Sequence, residues 1–402
     1  MSTVDLPSEL ISKIAENLTG DYKALLAISL LSHRWRDASR HVLFTSVNVT
    51  SPYRFQDLFT RIHREPQISP WIHRLQLGRL GDLTFTPVDH GDWIQMTIVS
   101  QPPIHLPALK TLQILSLSFH DTKAAMDAFI KFSSQVSSIQ SLEITNCRLH
   151  FRLITELVAH LHNLEKLTVR RCRLVYSPCV GEVKSHWDTP DPRPIATTQK
   201  PRIRTLDVSW CSRYIVAARL LSDLRRGGYL KHIKTIILSS RSGDETFLKD
   251  AGCLLGDLGD GLEELTLQVT ESHGSTGLAL RIPQVLNLNK NSNLRRLSFE
   301  NTNIALIHSI VQTLDNSRIP NITINVDPQF ANGLREDVSE EDSECTRLDE
   351  LIAKSEQDSQ LTLRIASSQY LTLVQECFSR LHRMGLLRIE DGRELDRFRG
   401  AH

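Results

Sequence analysis

The sequence predicts an α/β protein with two parts, a small helical domain over residues 1–49 and a solenoid of alternating strands and helices over residues 50–402. Three observations support this prediction. Apolar residues near the N-terminus recur at helical spacing. After residue 50 a nine-residue pattern with alternating apolar positions returns repeatedly, as is typical of half-buried strands. Segments with helical spacing lie between its copies, so strands and helices alternate along the chain.

The composition is that of a folded protein without a strong charge preference. Of 402 residues, 40% are hydrophobic and 23% are charged, and the formal net charge is +1. A nearly neutral chain has no general attraction to nucleic acid or to an acidic membrane surface. No apolar run reaches the roughly 18 residues that a membrane-spanning helix needs. We therefore expect a cytoplasmic or nuclear protein that binds neither nucleic acid nor membrane.

The residue types that usually carry chemistry are scattered. The seven cysteines contain no C-x-x-C pair, which argues against a zinc site and against a disulfide framework. His160 and His162 are two residues apart and cannot share a helix face, so they form a poor metal site. The sequence also lacks a phosphate-binding glycine loop and the nucleophile motif G-x-S-x-G. These patterns predict a protein without cofactor, metal or catalytic residues.

Three short helices are expected at the N-terminus. In "LPSELISKIAENL" the residues Leu6, Leu10, Ile14 and Leu18 are four apart, with Pro7 in the first turn, where its missing N–H costs nothing. Asp21 is a suitable N-cap for "YKALLAIS". A third helix is expected in "LSHRWRDASRHVLF", with Ser32 near its start.

This stretch resembles the F-box, a motif of about 45 residues, and the resemblance covers roughly residues 4–49. The positions that carry it are Leu6, Pro7, Glu9, Leu10, Ile14, Leu18, Leu25, Leu26, Leu31, Ser32 and Trp35. Thr19 stands where proline is common, and Phe44 stands where tryptophan is usual. The resemblance implies binding to a Skp-type adaptor, and through it to the cullin of an SCF-type ubiquitin ligase. The residues expected to bind the adaptor are Leu6, Pro7, Leu10, Ile14, Leu18, Leu25, Leu26, Leu31 and Trp35.

An alternative is that the three helices only cap the solenoid, with their leucines buried inside the chain. We favour a partner, because three short helices have several apolar sides and only one side can face the neighbouring domain. Burial of the remaining leucines contributes roughly 1.5–3 kcal/mol each to an interface, before the cost of association is subtracted.

The repeat has the form hydrophobe-x-x-Leu-x-hydrophobe-x-x-Cys/Thr/Leu, and it resembles an irregular leucine-rich repeat. Its fourth and sixth positions are expected to point into the core of a parallel sheet. The copies are "IHRLQLGRL" (72–80), "LKTLQILSL" (109–117), "IQSLEITNC" (139–147), "LEKLTVRRC" (164–172), "IRTLDVSWC" (203–211), "IKTIILSSR" (233–241), "LEELTLQVT" (262–270), "LRRLSFENT" (294–302) and "IPNITINV" (319–326).

Two columns of this repeat have expected roles. Cys147, Cys172 and Cys211 all occupy the ninth position, where we expect buried structural thiols. Strand residues that point away from the core are expected to line the surface that contacts other proteins, although most should be solvated. They include Arg74, Gln76, Lys166, Thr168, Arg204, Asp207, Glu264, Thr266, Arg296 and Ser298.

Several segments interrupt or end the array. Five prolines predict an inserted loop over about residues 175–202, and six acidic residues predict a solvated loop over about 335–345. Beyond it, "LTLRIAS" predicts a strand, "YLTLVQECFSRLHRMG" a helix that ends at Gly385, and "LLRIE" a final strand. The densest basic segment, "VRRCR" (169–173), is interpreted as a solvated edge of the repeat, since three arginines are weak support for nucleic-acid binding.

The sequence thus predicts the substrate-recognition adaptor of an SCF-type ubiquitin ligase. The helical domain would bind a Skp-type adaptor, and the solenoid would bind a protein substrate that the sequence does not name. Such an adaptor acts by raising the effective concentration of substrate lysines near the ubiquitin carrier. One alternative is a solenoid scaffold that acts outside a ubiquitin ligase. Another is an enzyme hidden in the array, which would require a pocket with converging titratable groups.

Overall fold

A computed structural model describes residues 6–79, 89–90, 92–119, 122–175, 200–211, 214–241, 245–270, 285–300, 302–314, 320–338, 343–354, 359–365 and 367–391. The chain divides into two compact units. The first contains the described residues up to Leu164, and the second contains the described residues from Glu165 onward.

The first unit combines helices with a parallel sheet. Its helices are α1 (Ser8–Asn17), α2 (Tyr22–Ser29), α3 (His33–Thr45), α4 (Pro52–Arg64), α5 (Asp92–Ser100), α6 (Thr122–Gln135) and α7 (Phe151–His160), with a 3-10 helix at Pro66–Trp71. Its strands are β1 (Ser46–Val49), β2 (Arg74–Gly78), β3 (Asp89–His90), β4 (Thr111–Leu115), β5 (Leu117–Ser118), β6 (Ser141–Thr145) and β7 (Arg148–His150). Strands β1, β2, β4 and β6 pair in that order, and all their pairs are parallel.

The second unit repeats the same alternation. Its strands are β8 (Lys166–Arg170), β9 (Arg173–Val175), β10 (Thr205–Ser209), β11 (Thr235–Arg241), β12 (Glu264–Thr270), β13 (Arg296–Glu300), β14 (Asn321–Val326), β15 (Leu361–Ile365) and β16 (Leu387–Asp391). Its helices are α8 (Tyr214–Arg226), α9 (Glu245–Leu258), α10 (Ile304–Val311), α11 (Pro328–Val338), α12 (Glu344–Ala353), α13 (Leu371–Cys377) and α14 (Ser379–Met384). Strand β8 pairs with β10, and β10 to β16 follow in sequence order with parallel pairing throughout.

The alternation predicted from the repeat is confirmed in the strands. Leu167 and Val169, at the fourth and sixth positions of their copy, are fully buried, and their counterparts in the other copies are buried as well. These side chains fall into register across neighbouring strands, as in the pair Leu167 and Leu206. The sheet therefore has one face of Leu, Ile, Val and Phe packed against the core and one polar face. A mixed α/β fold with a large parallel sheet agrees with the predicted class.

In four copies of the repeat, the strand is followed by the same tight turn. The eighth repeat position adopts a positive φ although it is not glycine, at Ser116, Asn146, Arg171 and Trp210, with φ between 52 and 58°. The next residue then points inward, and Cys147, Cys172 and Cys211 are buried there as predicted. Cys147 Sγ donates to the carbonyl of Ile114 at 3.4 Å, which ties the turn to the neighbouring strand.

The predictions for the loops and the C-terminus need correction in places. The helix expected over "YLTLVQECFSRLHRMG" is broken at Phe378 into α13 and α14, because the Asp349 carboxylate accepts from the N–H groups of Arg380 and Leu381 and so starts a second helix. Gly385 ends it with a φ of 71° as expected.

The expected proline-rich loop lies largely outside the described residues, and the expected acidic loop lies partly outside them. The acidic loop is shorter than expected at both ends, since Asp337 belongs to α11 and Ser343 caps α12. Asp337 stabilises this arrangement by accepting from the N–H groups of Glu344 and Cys345. Residues 176–199 of the proline-rich loop, residues 339–342 and residues 392–402 lie outside the described part of the chain.

Candidate functional site

Helix α1 carries two apolar stripes side by side. Pro7 is its N-cap rather than a residue of its first turn, and the Pro7 carbonyl accepts from the N–H of Leu10 at 3.1 Å. Ile11 and Ala15, four apart, form the buried stripe. Leu10 and Ile14, also four apart, form the neighbouring stripe and are exposed. The helix therefore uses only one of its two apolar stripes to fold.

Helix α2, like α1, carries both buried and exposed apolar residues. Gly20 turns the chain with a φ of 96°, and the Asp21 carboxylate caps α2 by accepting from the N–H of Ala24 at 3.0 Å, as predicted. Leu25 is buried between the helices, whereas its neighbour Leu26 is exposed. At the end of the helix Leu30 and Leu31 are 83% and 66% exposed.

Helix α3 attaches the three helices to the rest of the first unit. Both α1 and α2 pack on it, and Ser32 caps it by accepting from the N–H of Trp35 at 3.5 Å. Arg40 forms an ion pair with Glu65, and the His41 ring contacts the Trp71 ring edge-on at 5.8 Å. Strand β1 follows directly, so that residues 46–49 of the predicted helical domain pair with β2.

The nine predicted adaptor-binding residues thus occupy three kinds of environment. Pro7, Leu10, Ile14, Leu26 and Leu31 are exposed, Leu6, Leu18 and Trp35 are half-buried, and Leu25 is buried inside the helical domain. Two further exposed apolar residues, Tyr22 and Leu30, lie on the same elements and were missed from the sequence. The sequence signal that could have identified Leu30 is the apolar pair Leu30–Leu31 at the end of a short helix. We call the exposed set Leu10, Ile14, Leu26, Leu30 and Leu31 the apolar flank.

Residues 4–46 match the family model of the F-box domain. This chain carries an F-box domain. F-box domains generally bind Skp-type adaptors, and the match covers the three helices that bear the apolar flank. Over the whole chain, no curated protein gives a match.

Outside the F-box domain, the polar face of the sheet in the second unit contains buried polar residues. Residues on this face were expected to be mostly solvated, but Asp207 and Thr168 are only 1% and 4% exposed. The Asp207 carboxylate accepts from Arg170 Nε at 2.6 Å and from the Ser209 hydroxyl at 2.7 Å. Burial raises the pKa of Asp207 above its usual range, while Arg170 and Ser209 act in the opposite direction.

The buried thiols of the repeat have the properties of structural cysteines. Burial raises the pKa of Cys211 to about 12, so this thiol is protonated at neutral pH. The described residues contain no group of three His, Cys, Asp or Glu side chains arranged to hold a metal ion. None of the described helices combines the length and apolar character that crossing a membrane requires.

Proposed function

We propose that this protein is the substrate-recognition adaptor of an SCF-type ubiquitin ligase. In this proposal the F-box domain binds a Skp-type adaptor through the apolar flank and so joins a cullin. The second unit, an irregular leucine-rich-repeat solenoid, binds a protein substrate on the polar face of its sheet. The chain contributes no catalytic residue, binds no nucleic acid or membrane, and works in the cytoplasm or nucleus.

The observation that carries the proposal is the exposure of the apolar flank within an F-box domain. Its five residues are 39 to 83% exposed. Complete burial of a Leu or Ile contributes roughly 1.5–3 kcal/mol, so the flank offers on the order of 4–9 kcal/mol to a partner. Association costs roughly 4–15 kcal/mol, which is as much as the whole flank contributes. Stable binding therefore needs all five residues of the flank. Loss of two of its residues should therefore weaken the interaction strongly.

The test is the affinity of the full chain for a purified Skp-type adaptor. The double variant Leu10→Asp with Leu31→Asp places two charges in the proposed interface, and binding should weaken at least about 100-fold. The control is Met96→Asp with Val99→Asp, which changes two residues of α5 that are 69% and 64% exposed and lie outside the F-box domain. The control should bind as the unchanged protein does.

Two results would contradict the proposal. Equal adaptor binding by both double variants would place the interface elsewhere. A chain that co-purifies with the adaptor but never with a cullin would be a scaffold that acts outside a ubiquitin ligase. Proximity is the physical basis of the proposed activity, because a bound substrate presents its lysines to the ubiquitin carrier at high effective concentration.

A further inference from the structure

The segment that leads into β10 carries three exposed cations. Pro201 and Ile203 are buried. Lys200, Arg202 and Arg204 are exposed, so cations alternate with residues that pack in the core. Alternate residues of an extended segment lie about 6.6 Å apart. The three cations therefore form a row along one side of this segment.

The turn between α8 and β11 brings a fourth cation to this row. The Lys200 Nζ atom donates to the Gly227 carbonyl at 2.8 Å and lies 6.0 Å from the centre of the Tyr229 ring. Gly228, between those two residues, has a φ of 73° and no side chain. A Cβ atom added at Gly228 would lie 3.3 Å from Lys200 Nζ and 3.7 Å from Lys231 Cε. The Lys200 and Lys231 side chains thus meet beside Gly228.

None of these four cations forms an ion pair with a described residue. We call Lys200, Arg202, Arg204 and Lys231 the basic patch. Lys234, which follows in the same repeat, is different, because its Nζ atom lies 2.5 Å from Glu263 Oε1. Like charges gathered on one surface repel each other. Acidic groups from another molecule would relieve this repulsion.

Acidic residues limit the basic patch on both sides. The Glu165 carbonyl accepts from the N–H of Arg204 at 2.7 Å, so these residues lie side by side before β8 and β10. The Arg204 carbonyl accepts from Lys234 at 2.8 Å, and the Lys234 carbonyl accepts from Glu263 at 2.8 Å. Along this edge of the sheet the residues follow in the order Glu165, Arg204, Lys234 and Glu263. A long polyanion would meet carboxylates on either side, whereas a short acidic segment would meet the cations alone.

We propose that the basic patch binds a short acidic segment of the protein substrate, in which acidic residues occupy alternate positions. This inference rests on the proposed function, since it names the chemistry of the substrate. An extended segment places alternate carboxylates on one side at a spacing of about 6.6 Å, which matches the row of Lys200, Arg202 and Arg204. Arg204 is also one of the residues that the repeat pattern predicts on the surface that contacts other proteins.

The test is the affinity of the full chain for labelled probes at about 0.05 M salt, where exposed charges are weakly screened, measured by fluorescence anisotropy. The probes are repeats of Ser-Glu, repeats of Ser-Gln and a single-stranded RNA of the same length. The Ser-Glu peptide should bind roughly tenfold more tightly than the Ser-Gln peptide, as several exposed ion pairs allow. Equal binding of the two peptides would overturn the proposal. Tighter binding of the RNA than of the Ser-Glu peptide would overturn the choice of a protein segment.

Two double variants locate the effect. Arg202→Glu with Lys231→Glu reverses two charges of the basic patch and should abolish the preference for Ser-Glu. Lys290→Glu with Arg335→Glu is the matched control, because it changes the net charge equally at two exposed cations outside the basic patch. The control should keep the preference. A similar loss in both variants would contradict the proposal, because the effect would then come from net charge alone.

A milder pair of substitutions separates binding from folding. Arg202→Gln with Lys231→Gln removes the two charges without reversing them, and it should lower the preference at least about threefold without lowering the melting temperature. An unchanged preference in this variant would refute the proposal, even if the charge-reversed variant failed to fold. Binding to the Skp-type adaptor is measured on the same samples. Failure of adaptor binding with a retained Ser-Glu preference refutes the ligase role alone, whereas the reverse result refutes the role of the basic patch alone.

Discussion

At the scale of single residues, the turns after the strands show how a buried neighbour fixes the backbone. A left-handed conformation costs a residue with a side chain roughly 1–2 kcal/mol. Ser116 adopts it, and the next residue, Leu117, is fully buried. Burial of a leucine contributes roughly 1.5–3 kcal/mol, which offsets the cost. Of the four such residues only Asn146 has an intrinsic preference for this conformation, so the turns at Arg171 and Trp210 were not predictable from local sequence.

Asp207 gives a prediction about pH at the same scale. Burial raises its pKa in the folded protein above the ordinary value of 3.8, so the folded state holds this proton more tightly than the unfolded state. Its contribution to stability is fully present below pH 3.8 and is lost as the pH rises through the folded pKa. The melting temperature of the unchanged protein, relative to that of Asp207→Asn, should therefore be higher at pH 4 than at pH 7.

The difference in melting temperature between the unchanged protein and Asp207→Asn is free of the effect of the other carboxyl groups, because both proteins contain them. A difference in melting temperature that stays constant between the two pH values would contradict the expected effect of burial. A difference that grows toward pH 7 would mean that the ion pair with Arg170 outweighs the burial of the carboxylate.

At the scale of elements, the helices of the F-box domain were predictable because their signals are local. Asp21 and Ser32 cap α2 and α3 through their own side chains, as the sequence indicates. The break between α13 and α14 was not predictable, since it depends on Asp349 from another helix. Helix α5 and the short strands β3, β5 and β7 had no periodic signal long enough to identify them.

The role of Asp349 leads to a prediction for α14. This buried carboxylate accepts from the N–H groups of Arg380 and Leu381, each at 2.9 Å. Asp349→Ala leaves both donors without a partner and should destabilise the protein by about 2–6 kcal/mol, given about 1–3 kcal/mol for each unsatisfied group. The midpoint of urea unfolding, followed by circular dichroism, measures the loss.

The neighbouring Glu350→Ala is a control for Asp349→Ala, because Glu350 is exposed and its pair with Lys354 at 3.1 Å is a surface interaction. It should shift the midpoint by less than a quarter as much, in keeping with roughly 0–1 kcal/mol for such pairs. Similar shifts for the two variants would show that Asp349 does not hold the start of α14.

At the scale of the whole molecule, the repeat predicted the parallel sheet because each strand carries the same alternation independently of its neighbours. The F-box domain at residues 4–46 was recognisable because its pattern is short and continuous in the sequence. Asp207 bonds both Arg170 and Ser209, and these residues lie on two strands, β8 and β10, that are far apart in the sequence. Sequence spacing alone brings such residues into one column but does not show which of them are buried or bonded.

The F-box domain should need the neighbouring part of the chain in order to fold. Among the described residues 6–49, only Ile11, Ala15, Leu25, Ser39 and Val49 are buried, and the strand β1 that holds Val49 needs β2 as a partner. So small a core does not offset the entropy lost on folding about fifty residues. A fragment of residues 1–49 should therefore be mostly unfolded alone, as judged by circular dichroism, and should gain helix when a Skp-type adaptor is added. A cooperative thermal transition of the isolated fragment would contradict this expectation.

The apolar flank also affects how the protein behaves before it meets any partner. Adjacent leucines left in water attract the same leucines on another copy, and such patches promote aggregation. Leu30 and Leu31 are more than half exposed and side by side in the chain. Copies of the chain on which nothing covers these leucines should therefore precipitate more readily as their concentration rises.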